Sequence, residues 1–343
     1  MIFFRRLIKA GRLLYRRPRG FKNYCLGLFS ALIRSKMPLG LPVHITIEPT
    51  NLCNLRCPVC ETGSGILNRP KGRMTFDNFK IVIDKIKDHA NSIFFYFMGE
   101  PFLNKDSYRM IKYAKCKGLY ITSCTNGNCT DTVQLLDSGI DEIIFQIGGV
   151  TQRTHETYRV GSNLQVILEN VRMLVQQKKI LNKTYPKIIL GLIIMKQNEL
   201  EIEKFHELAR SLGVDEARLQ RACVRTWEQA RQFLPNDEKY WDYDKEAFVK
   251  GELKLKKNSG NRCNWIYIST AILNNGDVVP CCRDVYGYFV MGNILKDDLG
   301  AIWNGKKYRN FRKRVASDKN GISICKLCSS FEIPGLYENR KAE

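Results

Sequence analysis

Residues 1–47 contain no aspartate and no glutamate. The same stretch holds Arg5, Arg6, Lys9, Arg12, Arg16, Arg17, Arg19, Lys22, Arg34 and Lys36, nearly half of the +21 net charge of the 343-residue chain. A spanning helix needs ~20 apolar residues. The apolar piece YCLGLFSALI (24–33) has only ten, which excludes a bilayer-crossing segment there. No small-residue cleavage site follows it, so an export signal is not supported. Low-complexity tracts and internal repeats, beyond one alternation described below, are also missing. With no export signal, the thirteen cysteines read as metal ligands rather than disulfides, as expected of a cytoplasmic protein.

Strong basicity implies an anionic partner. The opening MIFFRRLIKAGRLLYRR places Phe3, Leu7 and Leu14 on one helical stripe, with Phe4 and Ile8 beside it. Such a basic amphipathic arm either lies peripherally at the inner face of a membrane or packs on the main domain. Nucleic acid is the least favoured partner.

From residue 43 short apolar runs alternate with amphipathic stretches. Strands are expected at 43–49, 92–99, 120–126, 142–148, 188–195 and 215–220, and helices at 75–89, 104–117, 130–138, 163–180 and 198–212. Thr130 and Asn163 are suited to N-caps, and Gly118, Gly139 and Gly213 to helix stops. The strands are largely apolar rather than alternating, as in a sheet covered on both faces. Six βα units make an α/β fold with a parallel sheet, open or curled into a barrel, whose functional loops gather at the carboxyl ends of the strands. The chain thus divides into an arm (1–41), a βα domain (42–234), a polar connector (235–260) and a second cysteine-bearing region (261–343).

NLCNLRCPVC (51–60) places Cys53, Cys57 and Cys60 directly after the first strand. A structural zinc site closes with four ligands, whereas three cysteines on a [4Fe–4S] cluster leave one iron open to an external chelate. CNLRCPVC resembles the C-x3-C-x-φ-C loop of radical S-adenosylmethionine (SAM) enzymes. FMGEPFLN (97–104) is similar to their G-G-E-P segment, with Met98 in place of the first glycine, and CTNG (124–127) to their T-N-G. IGGVTQRTHETYRVGSN (147–163) looks like the segment after their fourth strand. The resemblance spans about residues 43–220 and implies a partial (β/α)6 barrel of TIM type, in which Cys53, Cys57 and Cys60 hold the cluster and SAM fills the open iron. It also implies that Gly99, Glu100 and Pro101 receive the methionyl amine and that Val59 lies at the φ position near the adenine. Gln146 is placed to reach the ribose and Arg159 to pair with the SAM carboxylate, or both are ordinary residues of the barrel mouth. Reduction of SAM then yields a 5′-deoxyadenosyl radical that abstracts hydrogen from a C–H bond. A reductant such as flavodoxin or ferredoxin is implied.

Cys263, followed by twelve residues, Gly276, four more residues and Cys281, resembles the opening of the SPASM and twitch extensions of that family; CKLC adds Cys325 and Cys328. No cysteine follows Cys328, so one auxiliary [4Fe–4S] cluster is expected, with a four-cysteine zinc site as the alternative. Cys282 adjoins Cys281, and neighbours in an extended segment face opposite ways; the family spacing favours Cys281. Cys25, Cys116, Cys124, Cys129 and Cys223 read as buried apolar residues, except that Cys223, after the sixth strand, is placed to return a hydrogen atom to a substrate. Arg221, Arg225, His155 and Tyr158 lie near strand ends. The four-cysteine set most resembles a twitch-type aminocyclitol dehydrogenase. The leading expectation is therefore an oxidoreductase or C–H-modifying enzyme acting on a small polar or lipid-linked metabolite of sugar or polyol type, by net dehydrogenation or without it. The alternatives are a peptide maturase of the same superfamily and a basic iron–sulfur protein that binds nucleic acid through KKYRNFRKR (306–314).

Overall fold

The computed structural model describes residues 17–257 and 260–328. The amphipathic opening at 1–16 lies outside the described residues. Helix α1 (Pro18–Leu32) precedes six βα-type units: β1 (His44–Ile47), α2 (Phe76–Ile86), β2 (Ser92–Phe94), α3 (Ser107–Cys116), β3 (Tyr120–Thr125), α4 (Thr132–Asp137), β4 (Glu142–Ile147), α5 (Gln152–Glu156), α6 (Leu164–Ile180), β5 (Lys187–Ile194), α7 (Ile202–Leu212) and β6 (Glu216–Arg221). Short helices α8 (Trp227–Phe233), α9 (Lys245–Val249) and α10 (Trp265–Ile268) lead to β7 (Ser269–Ile272), β8 (Asp277–Val279), β9 (Gly292–Asn293), α11 (Leu299–Trp303) and α12 (Lys306–Asp318).

The strands form one sheet in the order β6-β5-β4-β3-β2-β1-β7-β8-β9. Strands β1 to β6 are parallel, β7 adds to β1 in parallel with His44 opposite Ser269, and β8 and β9 follow antiparallel. β6 does not pair with β1, so the sheet is an open, partial barrel. Its central strands are apolar because both faces are covered: all four residues of β1 and five of the six in β4 are buried. β6, at the free edge, is EARLQR and has no buried residue, which suits an edge that must not recruit another strand.

The local signals largely hold. Asn163 caps α6 by accepting from Val166 N at 3.3 Å, and Gly118, Gly139 and Gly213 take positive φ. Two expectations change. α4 is capped by Asp131, which accepts from Val133 N and Gln134 N at 3.0 Å each, while Thr130 turns inward to Thr125. β2 ends at Phe94, because the chain leaves the ladder to make a turn at Gly99 (φ +79°).

The connector is packed rather than loose. Trp241 and Tyr243 are buried, and the Tyr243 hydroxyl donates to Val224 O and accepts from Val224 N. The C-terminal region is bolted to the barrel through Arg69, whose guanidinium donates to both Glu48 oxygens (2.9 and 2.6 Å) and to Val285 O (2.6 Å). Asn274 N also donates to Glu48, whose side chain is fully buried. Arg69→Ala strands a buried carboxylate and costs about 3–5 kcal/mol, read as a lower midpoint of urea unfolding.

Helix α12 carries the KKYRNFRKR stretch, yet Tyr308, Phe311, Arg312 and Val315 face inward. Arg312 donates to Trp303 O, stacks on the Trp303 ring at 4.2 Å and is lowered by burial to about 10. The stretch is therefore not an unbroken phosphate-contacting face. Cys25, Cys116, Cys129 and Cys223, expected to be buried, are exposed, because they sit on outward helix faces or in loops. No helix among the described residues is long and apolar enough to cross a membrane.

Burial holds His44, His89 and His155 down to about 4, against about 6.5 in the unfolded chain. The unfolded state therefore binds more protons between those values. The stability these histidines confer is complete above about pH 6.5 and is lost as pH falls toward 4. Thermal midpoints should drop between about pH 7 and about pH 5, and the drop should shrink in His155→Gln.

Candidate active site

The loop after β1 is tied at its neck. Thr50 Oγ1 donates to Gly72 O (2.7 Å), and Asn51 brackets the returning strand through Pro70 O and Gly72 N, both at 2.8 Å. Inside it lie Cys53, Cys57 and Cys60, within electrostatic reach of one another. Leu55 N donates to Cys53 Sγ at 3.4 Å and Cys60 N to Cys57 O at 3.2 Å. Cys57 is 6% exposed and packs with Leu55, Val59 and Tyr158. Burial pushes the Cys53 thiol up to about 11 and raises that of Cys57; binding iron as thiolates would release those protons.

Two loops from neighbouring strands clamp this one. Glu100 N donates to Leu52 O at 2.7 Å, and a Cβ on Gly99 would stand 2.5 Å from that oxygen and 2.7 Å from Thr50 O. Only glycine fits there. Pro101 opens a short 3-10 turn. The buried Glu100 carboxylate accepts from Thr125 Oγ1 (2.8 Å), Asn126 N (2.7 Å) and Phe102 N (3.3 Å). Burial raises its pKa against the pull of those three donors. Asn126 Nδ2 in turn donates to Asn54 Oδ1 at 2.8 Å. The G-E-P and T-N-G segments thus brace the cysteine loop.

Arg159 enters from the segment after β4. Its guanidinium hydrogen-bonds the Cys57 thiol and lies 5.6 Å over the Tyr158 ring, while its buried Nε has no partner. Gln146 Nε2 donates to Gln220 Oε1 at 2.7 Å, leaving its buried Oε1 unpaired. Gly191 makes room for that amide, since a Cβ there would stand 2.7 Å from Gln146 Nε2. His155 accepts from Gly148 N at Nδ1 (3.0 Å) and donates from Nε2 to Ser162 Oγ (2.8 Å). Both its nitrogens are used, so it props the loop. Arg221 pairs with Asp242 at 2.6 Å on the surface.

The second set gathers Cys263, Cys281, Cys325 and Cys328, whose charges act on one another. Cys281 Sγ accepts from Arg283 N (3.4 Å), the same i+2 pattern as at Cys53, and Cys263 accepts from Trp265 and Ile266 amides. Cys282 lies near Cys263 and Cys328 as well. Between this set and the barrel stands Cys223. Arg225 Nη1 reaches its sulfur at 3.0 Å and Arg283 Nη1 at 2.8 Å. Desolvation by the surrounding side chains alone would raise the thiol, but the two guanidiniums outweigh it and lower the pKa. Arg225 Nε also pairs with Glu61 at 3.0 Å, immediately after Cys60. Glu61, Arg225, Cys223 and Arg283 therefore form a polar bridge from the first cysteine loop to the second set. Arg283 and Glu61 carried no sequence signal beyond adjacency to cysteines.

The donor sets fit iron–sulfur clusters. Thiols at Cys53, Cys263 and Cys281 each receive backbone N–H dipoles that favour the thiolate, and an unpaired buried guanidinium nitrogen and an unpaired amide oxygen remain beside the first loop for a polar ligand. Among the described residues no group of three or more His, Cys, Asp or Glu side chains converges tightly enough for a single metal ion, whereas a cubane spreads its ligands across its own width.

Comparison with known proteins agrees. Residues 47–209 match the radical SAM superfamily model and residues 263–329 the SPASM iron–sulfur cluster-binding domain. The chain is 24% identical over 301 residues to the tungsten-containing aldehyde ferredoxin oxidoreductase cofactor-modifying protein of Pyrococcus furiosus, covering 78% of this chain and 83% of that one. Its fold is similar to that of SuiB of Streptococcus suis bound to precursor peptide SuiA (TM-score 0.62, 13% identity, 88% of this chain and 74% of that one). It is also similar to BtrN in complex with AdoMet and 2-DOIA (TM-score 0.51, 19% identity, 84% and 93%). The chain belongs to the radical SAM superfamily and carries a C-terminal SPASM-type iron–sulfur region.

Proposed function

We infer that this radical SAM enzyme dehydrogenates a hydroxyl-bearing small polar metabolite of sugar or polyol type, with Cys223 as the base. Cys53, Cys57 and Cys60 hold the first [4Fe–4S] cluster, and Cys263, Cys281, Cys325 and Cys328 hold one auxiliary cluster. When bound, SAM and the clusters supply the radical that removes hydrogen from a carbinol C–H and the acceptor for the electron left behind. The protein's own residues do the rest. Arg159 and Gln146 offer a donor and an acceptor to the cofactor's polar ends, Val59 gives its adenine an apolar wall, and Gly99 to Pro101 fix the loop that receives its amine. A polar mouth sealed by Glu61, Arg225 and Arg283 admits a small hydrophilic substrate.

The observation that carries this reading is the Cys223 sulfur held between Arg225 and Arg283, beside the auxiliary cysteines. Returning a hydrogen atom requires an S–H, whereas two guanidiniums favour the thiolate. A thiolate at that place takes the substrate hydroxyl proton as the carbonyl forms. Cys223→Ser should therefore retain both clusters and SAM cleavage, lose about 100-fold or more in product formation, and lose the low-pH limb of the wild-type pH profile. Unchanged product formation would remove Cys223 from the reaction.

The likeness to a peptide-bound SuiB favours a second reading, a peptide maturase. Anaerobically reduced enzyme would be given polyols deuterated at carbon, or alternatively a peptide fraction of the producing cell. Deuterium in 5′-deoxyadenosine together with a ketone product supports dehydrogenation; coupled turnover with the peptide fraction alone overturns it. A peripheral location at the inner membrane face completes the proposal, and the N-terminal segment bears on it.

A further inference from the structure

Helix α1 is inverted relative to an ordinary surface helix. Its buried residues are Gly20, Gly27 and Ser30. A Cβ on Gly20 would stand 1.7 Å from Asn91 Oδ1, and one on Gly27 2.7 Å from both Ile268 Cγ2 and Tyr267 O. The helix thus lies backbone-close on the body through its smallest residues, flanked by the half-buried Tyr24 and Leu28, and turns Phe29 and Leu32 outward. Phe29, Leu32 and Ile33 are 51%, 79% and 55% exposed, and Met37 and Leu39 in the following loop are 51% and 62% exposed. No other stretch among the described residues exposes five large apolar side chains within eleven positions. Exposed apolar residues scattered singly need no explanation, but a contiguous patch marks an interaction surface.

The charge around the patch is of one sign. Arg19, Lys22, Arg34 and Lys36 are exposed on the same segment, and no acidic residue occurs before residue 48. The sequence ahead of α1 has the same chemistry, Phe3, Phe4, Leu7 and Ile8 among Arg5, Arg6, Lys9, Arg12 and Arg16. Large apolar side chains gain nothing from nucleic-acid phosphates, and a protein partner would need a matching acidic rim around an apolar socket. A fluid anionic lipid surface meets both needs at once: acyl chains for the apolar residues and headgroups for the cations.

The patch also lies on the correct side for a surface-bound enzyme. Gly20 sits against His89 and Asn91, just before β2, and Gly27 against Tyr267 and Ile268, just before β7. Arg17 donates to Lys87 O and Lys117 O beyond α2 and α3. α1 therefore covers the amino ends of the strands, where Tyr24 and Leu28 pack beside Cys263 and Cys281, and the loop of Cys53, Cys57 and Cys60 opens from the opposite ends.

We propose that the outward face of α1 and the loop to Leu39 dock this enzyme on an anionic lipid bilayer, with the mouth at the first cysteine loop turned away toward water. The proposal is independent of which substrate the mouth accepts. The test is flotation of the full, cluster-loaded chain with vesicles of phosphatidylcholine alone or phosphatidylcholine with phosphatidylserine. Flotation is expected with the anionic vesicles only. The triple variant Phe29→Ser, Leu32→Ser, Ile33→Ser, which alters exposed side chains and should keep its iron content and melting temperature, is expected to lower partitioning by about a hundredfold. Arg34→Glu with Lys36→Glu should lower it as well, while deletion of residues 2–16 should weaken but not abolish it. The proposal is overturned if the triple variant floats like the parent, if deletion of 2–16 alone abolishes flotation, or if nothing floats. It is equally overturned if light scattering shows a dimer that the triple variant dissociates, which would make the patch a contact between copies.

Discussion

Cys57→Ala should abolish 5′-deoxyadenosine formation and remove about half of the protein's iron, the share expected of one cluster in two. The reason lies in where the sulfur stands. Cys57 is the most deeply placed of the three loop cysteines, packed against Leu55, Val59 and Tyr158 at 6% exposure, so no solvent thiol can reach in to replace it. The substitution also removes the hydrogen-bond acceptor of Arg159. That guanidinium already has an unpaired buried nitrogen, and after the change it faces an apolar gap. A buried cation without its acceptor is costly, so the variant should melt at a lower temperature even when prepared without metal. Iron and sulfide analysis with Mössbauer spectra checks the first expectation and apo-protein melting the second. Cys57→Ala protein with full iron and unimpaired SAM cleavage would show that the loop does not carry the reactive cluster.

How much of this was legible in the sequence depends on separation along the chain. The cysteine loop, G-E-P and T-N-G are local words, and each falls at a strand end as its spacing implies. The six βα units were legible for the same reason: a strand buried on both faces writes an apolar run, as in IILGLII of β5. What failed to show is pairing at a distance. STAI of β7 is four residues long, and nothing in it says that it will extend the sheet beside β1. Cys223 and Arg283 are 60 positions apart and Glu61 and Arg225 are 164 apart, so the bridge across the mouth has no sequence pattern at all. Competition between adjacent groups was also hidden. Thr130 and Asp131 are both good caps, and the choice fell to Asp131 because the Thr130 hydroxyl found a partner in Thr125. α1 shows the subtlest case. YCLGLFSALI reads as an apolar piece too short to span a membrane, and its composition cannot reveal that glycines will take the inner face and leave Phe29 and Leu32 outside.

Gly99→Ala, a single added methyl, should disable the first site nearly as completely as loss of a cysteine. Gly99 has φ +79°, a region that costs an L-residue roughly 1–2 kcal/mol. The larger penalty is steric. The new Cβ would meet Leu52 O at 2.5 Å and Thr50 O at 2.7 Å. Both are backbone atoms, so no side-chain rotation relieves the contact, and overpacking of this kind costs about 1–3 kcal/mol more. The strain has one direct outlet. Pushing residues 50–52 away breaks the Glu100 N to Leu52 O bond and displaces Cys53, the next residue of the loop. Thr50 and Asn51 resist that shift through Gly72 and Pro70, so the energy falls on the cysteine loop itself. The auxiliary set, carried by the segments before α10, after β8 and after α12, does not share this turn. Gly99→Ala should therefore keep auxiliary iron while first-site iron and SAM cleavage collapse, with a lowered melting temperature. Gly65→Ala, also at positive φ but with no atom within 4 Å of its Cβ, is the control for backbone strain alone and should keep both clusters. If the two variants behaved alike, close packing of the G-E-P turn on the loop would not be what positions the site.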